Sequence, residues 1–162
     1  MLIASAGFSY RGELIKTSFD VYKNLMQSNY FGNSSLIKVM VGLMKGTKTD
    51  DDYYIVGATS VWGKISIPFR SAYSASKHAF SAFLDCLRAE ISQDNIRVLN
   101  VCPSYISTNL SRNALRGSGE KHARLDETTA HGMNARDTAY TIFSSIKRGG
   151  NELTMLDRSE EH

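Results

Sequence analysis

Apolar positions along the chain alternate between short runs and longer stripes of helical period. Residues 1–4 form a short apolar strand ending at Ser5-Ala6-Gly7, and Thr17 or Ser18 then caps an amphipathic segment that reaches about Lys45, which predicts a long helix. After a polar stretch containing Asp50, Asp51 and Asp52, residues 53–58 are apolar and β-prone, a buried strand, and Pro68 marks the loop beyond it. Residues 71–93 predict a second long helix with Ala75, Ala79, Phe83 and Leu87 on its apolar face. Asn95 ends that helix, residues 96–102 form another buried strand, and Pro103 stops it. A helix over 134–147, the pair Gly149-Gly150 and a final strand over 152–156 complete the series.

Four strands alternating with three helices make right-handed βαβ crossovers, so the fold class is α/β with a parallel sheet covered on its faces. Chemistry in such sheets gathers at the carboxyl ends of strands, which directs attention to residues 5–7, 59–62 and 103–108. The connection over 103–133 is long enough to hold a substrate lid or to be disordered.

A length of 162 residues allows one domain, and 42% apolar residues can bury an ordinary core. The 19 Lys and Arg against 16 Asp and Glu are spread without a basic block, so no nucleic-acid or polybasic membrane signature follows. No apolar run approaches the roughly 18 residues that span a bilayer, and the start shows no export signal or anchor. Cys86 and Cys102 lack C-x-x-C spacing and sit in apolar contexts, which suits reduced, buried thiols in a reducing compartment.

Several apparent signals fail. The string from Gly42 through Gly46 to Thr47-Lys48-Thr49 imitates a phosphate loop, but its spacing is wrong and it follows a helix. His78, His122, His131 and His162 include no i, i+4 pair and no cysteine partner; surface histidines are expected and a metal site is not. Asn33-Ser34-Ser35 and Asn109-Leu110-Ser111 match the glycosylation sequon only by chance if the chain is not exported.

Tyr73 and Lys77 stand four apart at the start of the second helix, on one face and one turn apart. A phenol is a poor acid at neutral pH, but an adjacent ammonium stabilises the phenolate, lowers its pKa and makes it a usable general acid or base. Ser60, just past the carboxyl end of the strand at 53–58, can hydrogen-bond a substrate oxygen opposite Tyr73. Tyr-x-x-x-Lys alone is common on helix surfaces, so the surrounding string carries the weight.

That string is Ser60, the loop Gly63-Lys64-Ile65-Ser66-Ile67-Pro68-Phe69-Arg70 and Ser71-Ala72-Tyr73-Ser74-Ala75-Ser76-Lys77-His78-Ala79. Together with Ala6-Gly7, Tyr10-Arg11-Gly12-Glu13, Asn29-Tyr30-Phe31-Gly32-Asn33, the segment from Phe83 to Glu90 and Pro103-Ser104-Tyr105-Ile106-Ser107-Thr108, it resembles the short-chain dehydrogenases/reductases over nearly the whole chain. The resemblance implies a Rossmann-like doubly wound sheet and hydride transfer between NADP(H) or NAD(H) and a carbonyl or secondary alcohol. It implies a lipid-related ketone as substrate. Tyr73 is then the proton donor or acceptor, Lys77 lowers its pKa and holds the nicotinamide ribose, and Ser60 orients the substrate oxygen. Asn29 bends its helix and holds a water linking the lysine to solvent. Pro103, Ile106 and Thr108 belong to the segment at the nicotinamide carboxamide, and Ala6 and Gly7 let the backbone approach the cofactor. A homodimer through the two long helices, and the cytosolic face of the endoplasmic reticulum or peroxisomal membrane, follow from the same resemblance.

The pattern departs in one large respect. Family members carry a Thr-Gly-x-x-x-Gly-x-Gly loop after a first strand, where amides and a helix N-terminus bind pyrophosphate, and no such string occurs here; Gly117-Ser118-Gly119 lies far downstream. The chain therefore reads as the carboxyl-terminal portion of one domain, beginning at the fourth strand and lacking the glycine-rich segment. The resulting expectation is an unpaired apolar edge at Leu2-Ile3-Ala4. Ala4-Ser5 and Ser104 also replace an Asn-Asn and a glycine usual in the family. Two functional expectations remain: an oxidoreductase, or a catalytically silent fragment that acts as an interaction or dimerisation module.

Overall fold

Residues 1–47 and 52–156 are described in a computed structural model. Lys48, Thr49, Asp50, Asp51 and His162 lie outside the described residues. The elements run β1 (Leu2–Ala4), β2 (Tyr10–Arg11), α1 (Phe19–Met26), a π-helical turn (Gln27–Gly32), α2 (Asn33–Gly46), β3 (Tyr53–Ala58), a 3-10 turn (Val61–Gly63), α3 (Ser71–Glu90), β4 (Ile96–Pro103), β5 (Leu115–Arg116), α4 (Glu127–Ala130), α5 (Ala135–Lys147) and β6 (Glu152–Met155).

The main sheet has the order β1-β3-β4-β6, and every pairing in it is parallel. Ile55 stands between Leu2 and Val98 in register. Side chains alternate across this sheet as strand geometry requires. Ile55 and Val98 join Ala4, Ile37, Phe80 and Leu84 under α2 and α3, whereas Val56, Leu99 and Val101 join Ile146 and Met155 under α5. Both faces are thus covered, which is why β3 and β4 are nearly continuous apolar runs. The expected α/β class with four strands and flanking helices is observed, and β1 lies at the sheet edge with Ile3 46% exposed.

The structure corrects several local expectations. The long first helix is one continuous path capped by Ser18, whose hydroxyl accepts from the Asp20 amide, but a π-helical turn interrupts it around Asn29. The buried face of α3 is not the Ala75-Ala79-Phe83-Leu87 row: Ala75 is exposed, Ala79 and Phe83 are half-buried, and Leu87 alone of the four is buried. The face that packs inward carries Ala72, Tyr73, Ser76, Lys77, Phe80, Ser81 and Leu84, a mixture whose polar members hide it from a hydrophobicity count. Cys86 is exposed, while Cys102 is buried as expected. The long connection is neither bare loop nor detached. β5 pairs in parallel with β2, Ile106 bridges to Met133, and α4 is folded within it.

Gly57 shows how closely α3 approaches the sheet. A Cβ there would lie 2.3 Å from Cδ1 of fully buried Leu84, so even one methyl overfills the contact between β3 and α3. Gly57→Ala is expected to lower stability by about 1–3 kcal/mol, read as a reduced urea midpoint at unchanged slope.

Candidate active site

The carboxyl ends of β1, β3 and β4 converge on one cavity of about 290 Å³, lined by Gly7, Phe8, Thr59, Ser60, Tyr73, Lys77, Pro103, Ile106, Thr108 and their neighbours. Ser60 follows β3 and caps the 3-10 turn. Its Oγ accepts from the Trp62 amide at 3.2 Å and donates to the Pro103 carbonyl at 3.3 Å. Tyr73 and Lys77 come from the first two turns of α3, and all three side chains are buried. A larger groove of about 700 Å³, walled by Leu14, Ile15, Ile67 and Phe69, lies on the other side of the start of α3 and touches neither Tyr73 nor Lys77.

Lys77 Nζ donates to the Ala58 carbonyl at 2.8 Å and sits 5.8 Å from the centre of the Tyr73 ring. An ammonium has three donors, so this single bond leaves two to face the cavity. Burial lowers the Lys77 pKa to about 8. The phenol of Tyr73 is pushed up by burial, against smaller downward pulls from the Ser60 hydroxyl and the Arg11 and Arg70 guanidiniums. This differs from the lowering expected from the sequence: desolvation outweighs neighbouring charge, and Tyr73 is held as the neutral acid.

Asn29 is fully buried at the π-helical turn. Its Nδ2 donates to the Phe8 carbonyl at 3.0 Å and to Ser76 Oγ at 2.9 Å, and its Oδ1 accepts from the Phe8 amide at 3.0 Å. Ser76 Oγ in turn donates to the Tyr73 carbonyl at 2.7 Å. Asn29 therefore ties the segment after β1 to the turn of α3 that bears the tyrosine. Gly7 is required here because a Cβ would lie 2.7 Å from Asn29 Oδ1 and 3.6 Å from Lys77 Nζ.

The remaining expected residues are less central. Pro103, Ile106 and Thr108 line the cavity, but Thr108 is exposed and its Oγ1 accepts from the Leu110 amide at 3.3 Å, as a loop cap does. Ala6 is exposed, and its carbonyl accepts from Asn33 Nδ2 at 2.9 Å. Sequence reasoning missed the support beneath the site. Thr59 Oγ1 donates to Asn100 Oδ1 at 2.7 Å, and Asn100 Nδ2 donates to Ser81 Oγ at 2.8 Å, linking the residue after β3 to β4 and α3. The available signal was a lone asparagine inside the apolar run of β4. Among the described residues there is no cluster of His, Cys, Asp and Glu able to hold a metal ion.

A parallel sheet with a buried Ser, Tyr and Lys gathered at its carboxyl edge makes this an α/β domain with its polar site at the strand ends. The family model of short chain dehydrogenases matches residues 1–118, and the chain belongs to that family. The mouse protein named Dehydrogenase/reductase SDR family member 7B is 45% identical over 157 residues, covering 97% of this chain and 48% of that protein. The Xenopus tropicalis protein of the same name is 46% identical, covering 94% of this chain and 48% of its relative. The chain thus spans about half the length of the curated relatives it matches. Among solved structures, a short chain dehydrogenase/reductase from Burkholderia phymatum in complex with NAD superposes with a TM-score of 0.80 at 20% identity, covering 94% of this chain and 59% of that one. A short chain dehydrogenase from Burkholderia cenocepacia in complex with NADP gives 0.77 at 20% identity, covering 99% and 62%. At that identity the structural likeness establishes the fold.

Two outcomes test this geometry. Asn29→Ala leaves the Phe8 amide and carbonyl without their partner and removes one of the two bonds of the Ser76 hydroxyl, at a cost of about 1–3 kcal/mol for each group left dry, and it speeds hydrogen exchange at the Phe8 amide. Lys77 supplies a pH signature. Its pKa is about 8 when folded and 10.5 when free, so the penalty for burying its charge is full below pH 8. Across the window up to 10.5 the folded chain releases that proton before the unfolded one, and stability rises by up to about 1.4 kcal/mol per pH unit. The raised Tyr73 pKa acts in the opposite sense only above its ordinary value near 10. Urea midpoints at pH 7.5 and 9.5 should therefore climb in the wild type relative to Lys77→Met; parallel behaviour would contradict the burial of a charged Lys77.

Proposed function

We propose that this chain carries the catalytic portion of an oxidoreductase that moves hydride between NADP(H) or NAD(H) and a carbonyl or secondary alcohol. The observation that carries this reading is the meeting of the Ser60 hydroxyl, the Tyr73 phenol and the Lys77 ammonium, all buried, in one cavity at the sheet's carboxyl edge. A nicotinamide, when bound, supplies the hydride; the chain's residues manage the oxygen and its proton. Ser60 donates to the substrate oxygen, and Tyr73, held neutral by burial, gives that oxygen its proton. Lys77 stays mainly charged at neutral pH and so favours the phenolate left behind. Its two free N–H donors suit ribose hydroxyls. Asn29 positions the Phe8 segment and α3, and the role of water carrier in a proton relay is assigned to it on family resemblance.

The residues present fit one end of such a cofactor. The close approach at Gly7 leaves no room for a Cβ, and the cavity of about 290 Å³ beside Pro103, Ile106 and Thr108 is sized for a nicotinamide and its ribose rather than a whole dinucleotide. Ala6 and Gly7 would border the cofactor along its length. The pyrophosphate is assigned to a glycine-rich segment outside these 162 residues, so that the whole chain is one partial domain. The family resemblance read from the sequence adds a lipid-related ketone, a homodimer and the cytosolic face of the endoplasmic reticulum or peroxisomal membrane to the proposal. No described helix is long and apolar enough to cross a membrane. The second reading, a silent interaction module, draws on the exposed edge of β1.

Fluorescence titration of the purified chain with NADPH and NADH separates the two. Saturable binding, with reduction of a ketone that falls by at least about 100-fold in Tyr73→Phe while binding persists, is the expected result. A folded chain that binds neither nucleotide would favour the interaction module.

A further inference from the structure

Two stretches of chain contribute walls to the cavity at Tyr73 and Lys77. Gly7 and Phe8 belong to the segment after β1, and Ile106, Thr108 and Leu110 to the long connection after β4. Both stretches then run into one patch of structure. The Leu115 amide donates to the Ser9 carbonyl at 2.9 Å, β2 pairs with β5, and the Ser18 amide donates to the Gly117 carbonyl at 3.1 Å. These ties are thin. The β2–β5 ladder is two residues long, and over 104–130 only Ser111, Ala114 and Thr129 are buried, so little apolar surface holds the connection down.

Arg11 and Asp126 supply a stronger tie between the same stretches. Arg11 Nε and Nη2 donate to Asp126 Oδ2 at 2.8 and 2.6 Å, and Nη1 donates to Ser9 Oγ at 2.6 Å and to the Tyr10 carbonyl at 3.0 Å, so every nitrogen of the guanidinium is engaged. On the other side, the Asp126 amide donates to Ser111 Oγ at 3.2 Å, and His122 Nε2 lies 3.0 Å from Asp126 Oδ1. Asp126 stands at the N-cap of α4, yet its carboxylate accepts nothing from the amides of that helix and is turned to Arg11 and His122 instead. The two side chains of the pair are only 13% and 23% exposed, which limits screening by salt. Burial alone would raise the Asp126 carboxyl, but Arg11 and His122 outweigh it and hold it below the ordinary carboxylate range. Arg70 Nη2 lies 3.9 Å from the same oxygen, so loss of this one negative charge leaves two guanidiniums facing each other.

We propose that the Arg11–Asp126 pair is a clasp that joins the two walls of the cavity, so that Asp126 is a positioning residue for the nicotinamide and release of the nucleotide waits on the opening of the clasp. The identity of the ligand rests on the oxidoreductase reading, but closure of the connection does not require a ligand.

Hydrogen exchange of the nucleotide-free chain reads the clasp itself, and stopped-flow displacement of NADPH reads its consequence. In Asp126→Asn and in Arg11→Met the Leu115 amide is expected to exchange at least about tenfold faster, while the amides of β3 and β4 keep wild-type rates. NADPH should leave each variant at least about fivefold faster than it leaves the wild type. The double variant should lose no more than the worse single one, because both changes remove the same pair. A merely structural role would speed exchange throughout the sheet and leave the NADPH off-rate unchanged. If either variant unfolds, Asp126→Glu and Arg11→Lys, which keep the charges but not the fork geometry, carry the same two readouts with smaller increases. Wild-type exchange at Leu115, an unchanged off-rate in a folded variant that binds NADPH, or additive losses in the double variant would overturn the proposal. Faster exchange at Leu115 in a chain whose wild type binds no NADPH would leave the clasp standing and remove the oxidoreductase reading instead.

Discussion

The side chain of Asn29 is the constraint on which the site depends. It replaces the backbone pairing that the segment after β1 lacks, giving Phe8 both a donor and an acceptor, and it spends its remaining donor on Ser76 of α3. An amide is suited to this because it offers donor and acceptor on one rigid group. The π-helical turn at 27–32 is the local cost of presenting that group inward from a helix. With the segment and the helix so joined, Tyr73 and Lys77 have fixed positions relative to Gly7, and the cavity is preformed. Catalytic geometry of this kind relies on side chains held by such outer contacts.

A second consequence is electrostatic. The site is dry enough that burial dominates the titration of its groups, pulling Lys77 down to about 8 and holding Tyr73 up. The downward pulls on Tyr73 that burial outweighs come from the Ser60 hydroxyl and then from Arg11 and Arg70.

Much of the fold was legible in the sequence because burial on both faces leaves β3 and β4 as unbroken apolar runs with turn residues at their ends. The strand at 53–58 matches β3, and 96–102 falls one residue short of β4. What escaped were features without periodicity. Two-residue strands such as β2 and β5 cannot show alternation, and a π turn looks like any other helical turn in composition. The inner face of α3 was misassigned because Ser76, Lys77 and Ser81 are buried in polar networks, so the true core face is less hydrophobic than its neighbour. Ser60, Tyr73, Lys77 and Asn29 could be named from their motif, and the first three line one cavity while Asn29 bonds Phe8 and Ser76 beside it; Asn100 and Thr59 could not, since their contacts arise only when β3, β4 and α3 are packed together.

The same packing leaves the β1 edge open, with Ile3 partly exposed, in a chain that spans about half the length of its curated relatives. The central claim is that a cavity already formed at the other end of these strands receives a nicotinamide against Ser60, Tyr73 and Lys77. A crystal structure of the chain grown with NADP⁺ tests it most directly. The account predicts the nicotinamide ring in the cavity between Gly7 and Ile106, with its ribose hydroxyls on Tyr73 and Lys77. Nucleotide bound elsewhere on the surface, with the Lys77 cavity closed by side chains, would contradict it.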